Sequence, residues 1–180
     1  REVRKLLEID KYKDSLVHHK AILGKIIKND GYTVQNICIE TLPGEHLFGS
    51  IYSPATKGKH PLIICPDGHF NGGRYRKDEQ QRLGTLARMG AICVDFDLYG
   101  WGESEKEYGK DSHQTDRAHV IQALNAEVLL DYMWNNRKDV DKKRIGVNGG
   151  SGGGTHTILL TVLDNRITAA APTVNLASHF

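Results

Sequence analysis

Gly146-Val-Asn-Gly-Gly-Ser151-Gly-Gly-Gly154 is the stretch on which the reading of this chain turns. It contains G-x-S-x-G from Gly149 to Gly153, follows the apolar start of a strand at Arg144-Ile-Gly-Val147, and precedes an apolar, helix-like run over residues 155–163. A serine on so sharp a strand-to-helix turn takes a strained backbone conformation, and glycines flank it because a Cβ there would collide with the neighbouring strand or helix. The turn lifts the hydroxyl out of the sheet and aims the first free N–H groups of the helix at whatever the hydroxyl attacks. The segment is therefore expected to form a nucleophile elbow. Two other glycine-rich sites fail on its residues. A phosphate-binding loop needs a lysine after its last glycine, where this chain has Thr155 and His156, and no register supplies the G-x-G-x-x-G of a dinucleotide site. A glycine-rich turn with a purely structural role is the remaining alternative.

Composition fits one globular domain with a real core: 180 residues, 39% hydrophobic and 26% charged. With 24 basic and 22 acidic residues the net charge is +2, and no basic block marks a nucleic-acid partner. No run approaches a membrane span, and no signal-peptide pattern opens the chain. A start at Arg1 rather than Met reads as processed or trimmed. Cys38, Cys65 and Cys93 sit in apolar runs at spacings that suit neither zinc nor a disulfide framework, so they are read as small buried hydrophobes.

Around the elbow, the chain alternates between two periods. Residues 1–31 read as a peripheral helical segment, with Val3, Leu6, Leu7, Leu16, His19, Leu23, Ile26 and Ile27 near helical spacing and a stop at Asn29-Asp30-Gly31. His18 and His19 are adjacent, so on a helix they face apart. From Tyr32 the period becomes two, and Val34, Ile37, Ile39, Leu47, Ile51 and Tyr52 surround Pro43-Gly44-Glu45 as an antiparallel hairpin. Leu62-Ile-Ile-Cys65 and Ala91-Ile-Cys-Val94 read as strands buried on both faces, and residues 167–174 as another. Residues 79–89 and 116–134 are amphipathic helices between them. A hairpin followed by alternating strands and helices predicts an α/β sheet, antiparallel at one edge and parallel elsewhere.

Three landmarks in this order resemble the α/β-hydrolase fold, specifically its acetyl xylan esterase-like and dienelactone-hydrolase-like members, with affinity to prolyl-oligopeptidase-type domains. The glycine-containing loop Pro66-Asp-Gly-His-Phe-Asn-Gly-Gly73 matches the family's oxyanion loop after its third strand. Asp97-Leu-Tyr-Gly-Trp-Gly-Glu-Ser104 matches D-x-x-G-x-G-x-S after the fourth, and Ser151 the nucleophile after the fifth. The likeness covers residues 32–180, which would be the N-terminal part of such a domain. It implies that Ser151 is the nucleophile, that the backbone N–H of Gly152 is one oxyanion donor, and that the N–H of His69 is the other, with Phe70 the alternative. Asp67 stands where relatives often carry histidine. The resemblance implies a small-molecule or carbohydrate ester as substrate; no cofactor and no metal are expected. Relatives of this kind are often exported.

The same resemblance places the acid and the histidine of a triad later in the chain than the serine. Only 29 residues follow Ser151; they contain Asp164, at the far end of the expected helix, His156 on that helix, and His179, which could line the pocket. His46, His60, His113 and His119 are assigned to edges, solvated loops or a helix start, and His113, Asp116 and His119 are spaced poorly for a metal. The triad acid and histidine are thus expected to lie outside these residues, in a missing C-terminal part or another subunit. The sheet would then end at about its sixth strand in the family's count, with an open edge and an uncovered apolar face. The leading expectation is a serine hydrolase of short, acetyl-type esters on carbohydrate. A prolyl-oligopeptidase-type peptidase, a non-catalytic binding module and a nucleotide-binding role are the alternatives.

Overall fold

In the computed structural model, which describes residues 2–15 and 20–174, eight strands form one mixed sheet. The hairpin forms as its alternation predicts. Strands β3 (Tyr32–Leu42) and β4 (Glu45–Pro54) pair antiparallel around Pro43-Gly44, where glycine takes φ 75°. Next come β5 (His60–Pro66), β6 (Ile92–Phe96), β7 (Val140–Gly150) and β8 (Ala169–Thr173). The order across the sheet is β4, β6, β5, β7, β8, with β6 antiparallel to β4 and the last four mutually parallel. Parallel neighbours need crossovers, and these are α2 (Lys77–Arg88), α4 (Ala118–Asn136) and α5 (Gly152–Leu163).

Alternation along the strands divides the core between two faces. Tyr52, Cys65 and Cys93 pack with Leu83 and Ala87 of α2 on one face. Ile51, Ile64 and Val94, their neighbours in sequence, pack with Leu129 and Met133 of α4 and Leu160 of α5 on the other. Cys65 and Cys93 are buried and Cys38 half-buried, all three as free thiols. Between β6 and α4 lies the short helix α3 (Glu105–Tyr108).

The N-terminal segment differs from its helical reading. Helix α1 (Glu2–Leu6) and a 3-10 segment at Ile9–Ser15 are helical, and Ile9 is buried against Ile121 and Leu124 of α4. Ala21–Leu23 and Ile27–Asn29, however, are strands, β1 and β2, paired antiparallel with β3. The apolar residues that suggested a helix do not line a buried face, since Ile26 and Ile27 are 60% and 59% exposed. The free edge of β3 offers backbone partners instead, and pairing with it outweighs helical spacing. Leu16, His18 and His19 lie outside the described residues.

Candidate active site

The turn between β7 and α5 is a single residue. Ser151 has φ 56° and ψ −119°, a backbone conformation costly for any residue with a Cβ, and both sides hold it there. Its N–H donates to the Thr173 carbonyl at the end of β8 (3.0 Å), and its own carbonyl accepts from Gly154 (2.9 Å) and Thr155 (3.2 Å). Gly152 opens α5, so its N–H has no carbonyl partner within the helix.

The loop after β5 is packed onto this turn backbone against backbone. A Cβ on Gly149 would come within 2.5 Å of the Pro66 carbonyl oxygen, and one on Gly153 within 2.1 Å of the same atom. From the other side, a Cβ on Gly68 would meet the Gly150 carbonyl oxygen at 2.6 Å. Three glycines thus permit an approach that no side chain would survive. Beyond Gly68, the His69 ring lies over Gly152, where an added Cβ would be 2.6 Å from Cε1 and 2.7 Å from Nδ1. Ser151, Gly152 and His69, singled out from sequence, are therefore immediate neighbours.

The stretch after β6 acts as a brace for that loop. Asp97 is buried and pairs with the buried guanidinium of Arg74, which also pairs with Glu103 and donates from Nε to Ser50 Oγ (3.1 Å). Asp97 also accepts the Glu103 N–H (3.0 Å). Gly102, at φ 64°, stands so close that a Cβ would be 2.6 Å from the Asp97 carboxylate. Gly100, at φ 69°, donates its N–H to Ser104 Oγ (2.9 Å), and its missing side chain leaves room for Ser112 and His113. Each named position of D-x-x-G-x-G-x-S is thereby explained by a contact. Burial pushes the Asp97 carboxyl up to about 6 despite Arg74. Asp67 is likewise raised to about 6 by burial, against the pull of the Gly68 N–H and Arg76.

His113 is the site residue that sequence reasoning missed. Assigned there to a solvated loop, it lies with its ring 4.6 Å from that of His69 and 5.9 Å from Trp101. The only signal was Gly100, whose meaning depends on where the later loop returns. The other candidates are engaged elsewhere. His156 is buried beside His119, ring centroids 6.0 Å apart, and burial and the nearby histidines lower its pKa to about 3. Asp164 pairs with Arg166 (2.5 Å), His46 with Glu107 (2.7 Å), and His60 contacts the Thr56 and Gly90 carbonyls (both 3.0 Å). His179 lies outside the described residues. Among those described, no three His, Cys, Asp or Glu side chains are grouped to hold a metal ion, and no helix is long and apolar enough to cross a membrane.

Known proteins resemble this chain in sequence and fold. The acetyl xylan esterase (AXE1) family profile matches residues 25–180. The acetyl esterase Axe7A of Xylanibacter ruminicola is 24% identical over 157 residues, which is 78% of this chain and 35% of that protein. Methylesterase BT1017 superposes with a TM-score of 0.96 at 63% identity, over 99% of this chain and 40% of its own. Acetyl Xylan Esterase 1 from Thermoanaerobacterium sp. JW/SL YS485 has the same fold, with a TM-score of 0.71 at 21% identity over 93% of this chain and 56% of its own. The chain spans less than half the length of the first two relatives. The family match over residues 25–180, on a sheet and turn of this form, shows that the chain belongs to the acetyl xylan esterase family of α/β-hydrolase-fold carboxylic ester hydrolases.

Proposed function

We propose that this chain supplies the nucleophile and oxyanion donors of a serine ester hydrolase working through an acyl-enzyme. The observation that carries the reading is Ser151, held at φ 56° between β7 and α5 with the Pro66–Gly68 backbone pressed against its flanking glycines. Ser151 Oγ attacks the ester carbonyl, and the electron pair displaced onto oxygen is met by the N–H groups of Gly152 and His69; the Phe70 N–H, the alternative for the second, donates instead to the Gly68 carbonyl (2.9 Å). Collapse expels the alcohol, and water then releases the acid. Losing one such donor lowers the rate by about 100- to 1000-fold. In this reading the histidine base and its acid come from outside the described residues.

Two ester classes fit the chemistry. The family points to acetyl groups on carbohydrate, with the sugar as leaving alcohol. The 63% identity to a methylesterase favours a methyl ester of a sugar carboxylate, with methanol leaving. Both proceed through the same tetrahedral intermediate. The test treats the whole protein with a fluorophosphonate and measures turnover of an O-acetylated xylose and a uronic acid methyl ester. Ser151→Ala is expected to abolish labelling and to lower turnover by roughly 10⁴-fold or more. Labelling or turnover that survives the substitution removes the reading.

A further inference from the structure

The chain after β6 brings His113 against the ring of His69, with ring centroids 4.6 Å apart. His113 Nδ1 is 2.7 Å from the Tyr99 carbonyl oxygen. A carbonyl only accepts, so Nδ1 carries the proton and Nε2 of neutral His113 is bare. His69 Nε2 is 2.5 Å from that nitrogen and must donate to it. Nδ1 of His69 is left bare, and it belongs to the ring edge that lies against Gly152. The ring is also held from the side: Trp101 meets it edge-on at 5.5 Å, and the indole N–H donates to the Phe70 carbonyl (3.2 Å). Burial, His113 and His119 lower the pKa of His69, which favours the neutral ring. Lys110 lies 5.8 Å from the Trp101 ring centroid, and Glu103, Glu105 and Lys106 line the same pocket.

A bare ring nitrogen can only accept. Both oxygens of an ester are acceptors, as is the oxyanion that develops from it, so Nδ1 contributes nothing to any of them and needs a proton donor such as a hydroxyl. Resting on the ester-hydrolase reading above, we propose that His69 is a specificity-determining contact whose Nδ1 accepts a hydrogen bond from a hydroxyl of the sugar bearing the ester. His113 is then a positioning residue that fixes the tautomer and direction of His69.

The test compares kcat and KM on a uronic acid methyl ester and an O-acetylated xylose, which carry free hydroxyls, with those on p-nitrophenyl acetate, which has none. His69→Phe keeps the ring packing, His113→Phe removes the acceptor behind His69, and His113→Gln restores an acceptor near the same place; near-UV circular dichroism establishes that each is folded. The expected result is a fall of roughly tenfold in the ratio of kcat/KM for sugar esters to that for p-nitrophenyl acetate in both Phe variants, mainly through KM, the size of one lost hydrogen bond. His113→Gln recovers the ratio. Equal losses on both kinds of ester in folded variants make Nδ1 the acceptor for the Ser151 or water proton, and an unchanged ratio makes the pair a packing feature; either overturns the proposal. A wild-type protein that turns over none of the three and is not labelled at Ser151 removes the ester-hydrolase reading, and this proposal with it.

Discussion

Asp95 is the residue whose surroundings suit its chemistry least. It is fully buried in β6, and neither carboxylate oxygen has a hydrogen-bond partner. Burial, followed by Glu79 and Asp67, pushes its pKa well above the carboxylate range. A β-branched apolar side chain fits such a strand position better, so Asp95→Val is expected to stabilise the fold by about 1–3 kcal/mol at pH 7, read as a higher urea midpoint. A lower midpoint would show that the carboxyl has a structural partner. Asp67 and Asp97, raised to about 6, give a pH dependence of definite sign. An acid whose pKa rises on folding binds more protons in the native state, so its contribution is complete below about pH 4 and is lost as pH rises towards 6. Asp139 and Asp164, whose pKa values are lowered, work in the opposite sense. The check is therefore a difference: the stability of wild type minus that of Asp67→Asn, followed by denaturation, should fall as the pH rises from 4 to 6.

Between elements, the contacts that set the site are made by backbone and by one buried ion-pair group. Gly149 and Gly153 meet the Pro66 carbonyl, whereas Gly150 has open space on its Cβ side. Gly149→Ala and Gly153→Ala are expected to cost about 2 kcal/mol or more, and Gly150→Ala less than about 1 kcal/mol, by thermal denaturation. Equal effects at all three would mean that the β5 loop does not rest on the turn. Arg74 ties that loop to β6, and Arg74→Met leaves the Asp97 carboxyl buried without its cation. A loss of about 3–5 kcal/mol follows, measured by guanidinium denaturation. The hairpin and the crossover helices were legible because turn chemistry and periodicity are local. The pairing of β1 and β2 with β3 was not, since exposed apolar residues at Leu23, Ile26 and Ile27 mimic a helical stripe.

Across the whole molecule, protection from solvent is uneven. β6 is buried throughout, whereas β2 and β8 are exposed along their lengths. Amide hydrogen exchange should accordingly be slowest in β5 and β6 and fastest in β1 and β2, by orders of magnitude. Fast exchange in β6 would contradict the packing of α2 and α4 on its two faces. At the other end, β8 pairs with β7 among the described residues. A groove of about 370 Å³ runs along it, lined by Leu62, Ile63, Ile145, Val147 and Ala169.

What the sequence by itself determined is what neighbouring residues decide for one another: the strand and helix periods from Tyr32 onward, the Pro43-Gly44 turn, the crossover helices, and a serine that only a glycine-flanked corner could hold. These follow from steric and hydrogen-bonding rules acting over a few residues. The tertiary structure alone decided that His113 stands behind His69, that Arg74 rather than a nearer residue balances Asp97, and that residues 21–29 add strands to β3. Each of those depends on how two distant loops or edges meet in space, and no interval of spacing encodes such a meeting.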